Sequence, residues 1–177
     1  IPTAGDDVII AGYTVTVNTN QTCRSITLNS ATAVSNLQVT ANTLIITTDL
    51  NLLQNSGSSD VRLHINNSAV VNIGNNLLAN QSSADDMEIY LNNNSGTTAQ
   101  LNITNDLIVN KSGGDDIRLR VNGISSLLNI SNNCILNHNQ GNGDRLDIDL
   151  NAGSFNVANN LNLNISGDAQ RIYFDLD

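Results

Sequence analysis

The sequence predicts an all-β fold, a parallel β-helix of about six coils of roughly 27 residues with three short strands per coil. Three observations predict it: a phrase repeated at nearly constant spacing, alternating apolar and polar residues within each repeat, and columns of asparagine in phase with the phrase. Of 177 residues, 32 are asparagine, 40% are hydrophobic and 13% are charged. Because disordered chains combine low hydrophobicity with high charge, we expect this chain to fold around a thin aliphatic core.

The repeated phrase sets the length of one coil. Its five copies begin at Ile46, Ile73, Ile103, Ile130 and Val157, so successive copies are 27, 30, 27 and 27 residues apart. We attribute the longer spacing to a turn insertion at residues 92–98. Asparagine recurs in phase with the phrase in two columns: Asn72, Asn102, Asn129 and Asn156, then Asn80, Asn110, Asn137 and Asn164. Such columns predict ladders of side-chain amides, and Asn also suits left-handed backbone at tight bends.

Each repeat supplies three short strands. The first ends at the phrase (71–73, 101–103, 128–130, 155–157), the second follows it (77–79, 107–109, 134–136, 161–163), and the third is the longest (61–65, 87–91, 117–121, 146–150, 172–176). Apolar residues alternate with polar ones, which is typical of strands with one buried face. The short turns between strands leave no room for crossover helices, so we expect strands to pair with their counterparts in the next coil.

The opening residues fit this template with looser spacing. We expect one coil from the strands 13–17, 25–28 and 36–40, with Val8–Ile10 as the last strand of a preceding coil. The single domain, 1–177, therefore divides into irregular N-terminal coils (1–42) and regular Asn-rich coils (43–177). Solenoids normally cap their open edges, and the repeat pattern runs from one end of this sequence to the other. We therefore expect the chain to be a fragment of a longer solenoid.

Charge and cysteine content exclude several classes. The net charge of −9 and the pI near 4.3 disfavour binding to phosphate backbones, so we expect no nucleic-acid partner. No apolar run approaches the roughly 20 residues of a membrane-spanning helix. Cys23 and Cys134 lie about four coils apart, too far for a disulfide. Cys134 takes an inward position that leucine fills in other coils, so we expect it to act as a small core residue.

The acidic turns before the third strand are weak candidates for a metal site. They carry the pairs Asp85-Asp86 and Asp115-Asp116, and carboxylates stacked coil on coil could hold structural calcium. The nonapeptide motif of calcium-binding β-rolls is missing, however, and arginines lie nearby in sequence. The pattern therefore favours solvated acidic turns with local ion pairs. We predict no other cofactor.

No catalytic residue is predicted. His64, His138 and Lys111 do not form a repeated acid–base pair, and we expect both histidines to be ordinary surface residues. Outward positions of the third strand nevertheless suggest a ligand face of His64, Tyr90, Arg118 and Arg120. This face makes a carbohydrate-binding module the alternative function, although aromatic residues for stacking on sugars are scarce. A polysaccharide-active enzyme is the third possibility.

One outward column is apolar. Leu78, Ile108 and Ile135 form a stripe three coils tall between Asn51 and Asn162. Such a stripe is a candidate surface for side-to-side association. The expected partners are therefore neighbouring coils of the same longer chain or a second copy, with surface glycans as the other possibility.

The opening residues resemble a segment of large secreted bacterial surface proteins. Ile1-Pro2-Thr3-Ala4-Gly5-Asp6-Asp7-Val8-Ile9-Ile10, then Gly12-Tyr13-Thr14-Val15-Thr16-Val17 and Cys23-Arg24-Ser25-Ile26-Thr27-Leu28, are similar to the start of adhesin-like β-helix repeat proteins exported by the type IX secretion system. The resemblance implies an extracellular or cell-surface location and adhesive or scaffolding roles, without catalytic residues. We therefore expect a non-enzymatic structural module that serves as stalk, filament or adhesin scaffold.

Overall fold

The computed structural model describes residues 1–56, 59–91, 98–139, 144–166 and 171–176. These residues form twenty strands and contain no helix. All strand pairs are parallel, and each strand pairs with its counterpart in the neighbouring coil. The predicted parallel β-helix is therefore confirmed.

Three sheets wind around one core. Sheet A contains β1 (Asp7–Ala11), β4 (Ser25–Asn29), β7 (Leu50–Gln54), β10 (Leu77–Gln81), β13 (Leu107–Lys111), β16 (Cys134–His138) and β19 (Leu161–Ile165). Sheet B contains β2 (Thr14–Val17), β5 (Ser35–Val39), β8 (Val61–Ile65), β11 (Met87–Leu91), β14 (Ile117–Val121), β17 (Arg145–Asp149) and β20 (Arg171–Asp175). Sheet C contains β3 (Gln21–Cys23), β6 (Thr43–Ile46), β9 (Val70–Ile73), β12 (Gln100–Ile103), β15 (Leu127–Ile130) and β18 (Ser154–Val157).

The register follows the repeated phrase. Ile46, Ile73, Ile103 and Ile130 are successive partners in sheet C, so the spacings of 27 and 30 residues are one coil each. The regular part makes about five turns of about 27 residues. The turns before it are shorter, since Asp7 pairs with Ser25 and Ile26 pairs with Leu50. About five regular turns thus follow the shorter ones, where about six coils with looser spacing at the start were expected. Most of the expected insertion, residues 92–97, lies outside the described residues.

Inward side chains stack in columns that form the core. One column of sheet A runs Ile26, Leu50, Leu77, Leu107, Cys134 and Leu161, which confirms the inward place of Cys134. Both cysteines are free and buried. Burial raises the pKa of the Cys134 thiol to about 12, and burial together with Asp7 raises that of Cys23 to about 11. Both thiols are therefore neutral core residues rather than nucleophiles.

The opening coils differ from the expectation in their strand assignment. The segment Val8–Ile10 lies in sheet A as part of β1, so it is not the last strand of its coil. The next strand, β2, belongs to sheet B, and the short strand β3 was missed. Only Arg24 separates β3 from β4. In later coils a longer turn, which contains the repeated phrase, joins sheet C to sheet A. Both the longer turn and the phrase are absent between β3 and β4.

Candidate functional site

Two asparagine ladders run along the outer faces of the solenoid. In sheet C, the amide of each asparagine donates to the side-chain oxygen of the previous one, along Asn72, Asn102, Asn129 and Asn156, at 2.8 to 2.9 Å. In sheet A, Asn80, Asn110, Asn137 and Asn164 do the same at 2.7 Å. The predicted ladders are confirmed. Because an amide both donates and accepts, one residue type can continue such a chain across every coil.

A third ladder follows the turn between sheets C and A. Asp49 Oδ1 accepts from Asn75 Nδ2 at 2.8 Å and from the backbone N–H of Asn76 at 3.0 Å. One coil later, Asn76 Oδ1 accepts from Asn105 Nδ2 and from the N–H of Asp106. In the next coil, Asp106 Oδ1 accepts from Asn132 Nδ2 and from the N–H of Asn133. In the coil after that, Asn133 Oδ1 accepts from the side-chain amides of Asn159 and Asn160 instead. In three coils the turn side chain thus also satisfies a backbone N–H of the coil above.

The left-handed backbone expected of asparagine occurs away from these ladders. Asn42 and Asn67, at the turn between sheets B and C, have φ of 63° and 55°. Each also donates its amide to a backbone carbonyl of the previous coil, to Asn18 and Thr40 respectively, at 2.9 Å. The asparagines of the strand ladders instead have strand geometry and occupy outward positions. Asparagine therefore does two separate jobs in this fold.

Sequence reasoning missed an inward polar column at the end of sheet A. Gln54, Gln81, Lys111 and His138 are successive partners, and each is at most 1% exposed. All four lie eight positions after the start of the repeated phrase, which was the available signal. His138 is thus a core residue, and its expected place on the surface was wrong. His64 is half-buried on the outer face.

The inward polar column supplies donors to the turns between sheets A and B. Gln81 Nε2 donates to the carbonyl of Asp85 at 2.7 Å, and Lys111 Nζ donates to that of Gly113 at 2.8 Å. His138 Nδ1 lies 3.2 Å from the carbonyl of Arg171. Burial lowers the pKa of Lys111. Since a buried carbonyl without a donor is costly, these side chains have a structural role.

The acidic turns contain ion pairs. Arg118 bonds Asp86 at 2.6 Å and Asp116 at 2.8 Å, so two of the four candidate calcium ligands are engaged by one guanidinium. Asp85 Oδ2 has no hydrogen-bond partner, and burial with nearby Asp60 and Asp115 raises the pKa of this carboxyl. Among the described residues, no group of three or more His, Cys, Asp or Glu side chains is arranged to hold a metal ion.

The structure brings the four ligand-face candidates together on the outer face of sheet B. His64, Tyr90 and Arg120 are successive partners in one column, and Arg118 lies in the adjacent column. The rings of His64 and Tyr90 are 5.7 Å apart, and the Arg120 guanidinium lies 5.9 Å from the Tyr90 ring. Asn122 Nδ2 donates to the Tyr90 hydroxyl at 2.7 Å. Tyr90 is therefore held on both sides.

Glu88 links the candidate face into a network. Its carboxylate lies 3.1 Å from His64 Nε2, 3.4 Å from Arg62 Nε and 3.8 Å from Arg118 Nη1. The hydrogen bond with His64 is the main reason that the pKa of Glu88 is lowered, and the arginines act in the same direction. Arg62 also bonds Asp60 at 2.5 Å. The network leaves one buried atom, Arg62 Nε, without a hydrogen bond.

The predicted association stripe is present as one outward column of sheet A. Leu78, Ile108 and Ile135 are successive partners. All three are half-buried rather than fully exposed, beside the asparagine ladder that contains Asn110. An association role for this stripe stays a prediction.

The described part of the chain contains no helix that could span a bilayer. No protein-family model, no curated protein and no solved structure matches the chain.

Proposed function

We propose that this chain is a non-enzymatic structural repeat module of a secreted or cell-surface protein, serving as stalk, filament or adhesin scaffold. The observation that supports it is the triple linkage between coils. Three parallel strand ladders join every coil of the regular part to the next, and ladders of side-chain amides run beside them on two outer faces. In such a solenoid, stability is a sum of repeat and neighbour terms, so length can be added without a new core.

The composition supports an exported structural role. A net charge of −9 keeps a repetitive protein soluble and opposes lateral aggregation. The similarity of residues 1–28 to surface proteins of the type IX secretion kind points the same way. Location is tested by staining intact, unpermeabilised source cells with antibodies against the chain. Surface label is expected, and label seen only after permeabilisation would contradict export.

The mechanical role is tested by stretching single molecules held at both ends. Coils should detach one at a time, each releasing about 90 Å of chain, since an extended residue spans about 3.4 Å. The variant Asn110→Ala, which interrupts a ladder, should lower the force of the steps that involve the central coils. Featureless extension at low force, as a flexible linker gives, would overturn the proposal.

The non-enzymatic part of the proposal has its own assay. Incubation with a panel of neutral and acidic polysaccharides should release neither reducing ends nor unsaturated products. Polysaccharide cleavage that co-purifies with the chain and is lost in the double variant Asp147→Asn/Asp149→Asn would contradict the proposal and make the chain an enzyme.

A further inference from the structure

Ionisable and aromatic side chains gather on one of the three outer faces. In the regular coils, the strands of sheets A and C present asparagine, glutamine, serine and aliphatic residues outward. The two outward columns of sheet B, from β8 to β20, are Arg62, Glu88, Arg118, Asp147 and Tyr173, then His64, Tyr90, Arg120, Asp149 and Asp175. A module that only bears load needs no such asymmetry, so this face has a further role.

The first half of this face is closed to a ligand. Apart from Arg120, the carboxylates and guanidiniums of β8, β11 and β14 are engaged in the network around Glu88 and Arg118, and they are half-buried. A ligand would have to break ion pairs that already have good geometry. His64 and Arg118 are therefore poor contact residues.

The second half of the face is open. A depression, here named the B-face depression, is lined by Arg120, Arg145, Asp147, Asp149, Ile148, Tyr173, Phe174 and Asp175. It shares only Arg120 with the four residues selected from the sequence. It lies where β14, β17 and β20 run side by side, so its walls come from three successive strands of one sheet.

Two side chains of the B-face depression retain bonding capacity, Arg145 and Asp147. The unpartnered atoms Arg120 Nε and Asp149 Oδ1 are buried from solvent, so a ligand does not reach them, and Arg120 Nε lies 3.4 Å from Asp149 Oδ2. Within the described ranges, no hydrogen bond or ion pair joins the Asp147 carboxylate to another side chain. The Arg145 guanidinium lies 5.4 Å from the Tyr173 ring, and the Tyr173 hydroxyl accepts a hydrogen bond from Arg171 Nη1 at 2.9 Å. Donors, acceptors and a ring thus converge without satisfying one another.

We propose that the B-face depression binds an uncharged glycan chain. Arginine forks and carboxylates pair with vicinal hydroxyl groups, and an aromatic ring packs against the apolar face of a sugar. The depression holds two arginines and three aspartates, a net charge of −1, in a chain of net charge −9. That balance repels uronic-acid and sulfated chains, so a neutral glycan fits best. This proposal is independent of the structural role proposed above.

The roles within the depression follow from the contacts. Arg145 and Asp147 form the hydroxyl-binding pair, because Arg145 is exposed and the Asp147 carboxylate is bonded to no other side chain of the described residues. Tyr173, 37% exposed, supplies the ring. Asp147 lies beside this ring, since its backbone partner in the next coil is Tyr173. These side chains provide the affinity, and Ile148 and Phe174 complete the lining of the depression.

The test is native affinity electrophoresis of the whole chain through gels that contain one neutral polysaccharide each, from β-glucan, xylan, mannan and α-glucan, beside gels with polygalacturonate. At least one neutral gel should retard the protein. Asp147→Asn and Tyr173→Ala should each weaken that retardation about tenfold, and Tyr173→Phe should keep most of it. Ser154→Ala, an exposed change on sheet C at the same height, is the matched control.

Three results would overturn the proposal. One is the absence of retardation in every neutral gel, and another is retardation that Asp147→Asn and Tyr173→Ala leave unchanged. The third is binding to polygalacturonate alone, which would mean that the arginines select an acidic chain. Circular dichroism of each variant checks that it folds. A negative result in these gels does not affect the stretching experiment. Glycan binding and the structural role can therefore be contradicted independently.

Discussion

Single polar side chains inside the solenoid decide how its turns are satisfied. Lys111 is fully buried, and its ammonium donates to the carbonyl of Gly113. In the two preceding coils the same position is glutamine, and Gln81 donates to a turn carbonyl in the same way. What the position requires is a donor of sufficient reach rather than a positive charge.

Substitution of Lys111 tests this requirement. Lys111→Met should cost about 1 to 3 kcal/mol of unfolding free energy, because the Gly113 carbonyl loses its donor inside the protein. Lys111→Gln should stay within about 1 kcal/mol of the parent protein. Urea unfolding measures both. If the two variants are equally unstable, the charge itself is required.

The same residue predicts a pH effect. Burial lowers the pKa of folded Lys111 below its ordinary value of 10.5, so the unfolded chain binds more protons between those two values. The free energy of unfolding should therefore rise with pH in the window below about 10.5. Subtracting the Lys111→Gln profile from the parent profile isolates this contribution. A difference that falls with pH would contradict the assigned direction.

Two adjacent carboxylates of one turn should respond in opposite ways. Asp85 has an unpartnered oxygen and a raised pKa, so its ionisation opposes folding, and Asp85→Asn should stabilise the protein at pH 7. The gain should shrink as the pH falls toward 3.8, where the carboxyl is protonated. Asp86→Asn should destabilise by about 1 kcal/mol, because Arg118 loses a partner.

Thermal unfolding of both variants from pH 3 to pH 8, with and without calcium, checks this prediction. If Asp85 is a calcium ligand, Asp85→Asn will instead lose a stabilisation that calcium gives the parent protein. That outcome would show that these acidic turns bind calcium.

At the scale of elements, the closeness of successive turns limits side-chain size. A Cβ at Gly113 would lie 2.2 Å from the carbonyl oxygen of Ser83, in the turn one coil earlier. At Gly114 the nearest atoms would be 3.7 Å away, which is ordinary contact. Neighbouring glycines of one turn thus differ in what they permit, because only at Gly113 would a Cβ collide with the backbone of the previous coil.

Alanine substitution separates these two glycines. Gly113→Ala should lower the free energy of unfolding by about 2 kcal/mol or more, since the backbone must move to relieve the contact and Lys111 loses its acceptor position. Gly114→Ala should change it by less than about 1 kcal/mol. Chemical denaturation compares the pair. Equal effects would mean that the turn adapts without cost.

At the scale of the whole molecule, stability depends on how many neighbours a coil has. Inward residues of the central coils are fully buried, as Leu136 is, whereas its column partner Leu163 is 47% exposed. Because each coil contacts only adjacent coils, one with a single neighbour has roughly half of the stabilising contacts. Local opening should therefore be easiest in β18, β19 and β20.

Hydrogen exchange followed by mass spectrometry measures this gradient. Amides of β11, β13 and β14 should exchange slowest and those of β19 and β20 fastest. Uniform protection along the chain would show instead that the solenoid opens only as one cooperative unit.

Much of this fold was predictable because each coil repeats the previous one and contacts only its neighbours along the solenoid axis. The alternation in Val61–Ile65 matches β8, and the recurrence of Asn72 and Asn102 matches a measured hydrogen bond between neighbouring coils. Identical residues at a fixed spacing can stack only if the coils do. The opening strands were misassigned because their turns are too short to carry the phrase.

The sequence by itself determined the parallel β-helix, the length of its coil and the asparagine ladders, because periodicity encodes which residues lie above one another. Only the tertiary structure decided which polar residues face inward, as Lys111 and His138 do, and where the outer face of sheet B is open. An alternating pattern shows which residues of a strand share a face. It does not show where the turn carbonyls lie, and a buried polar side chain is tolerated only where it can donate to one of them. Ion pairing likewise depends on distances between coils, which is why Arg118 proved engaged while Asp147 remained available.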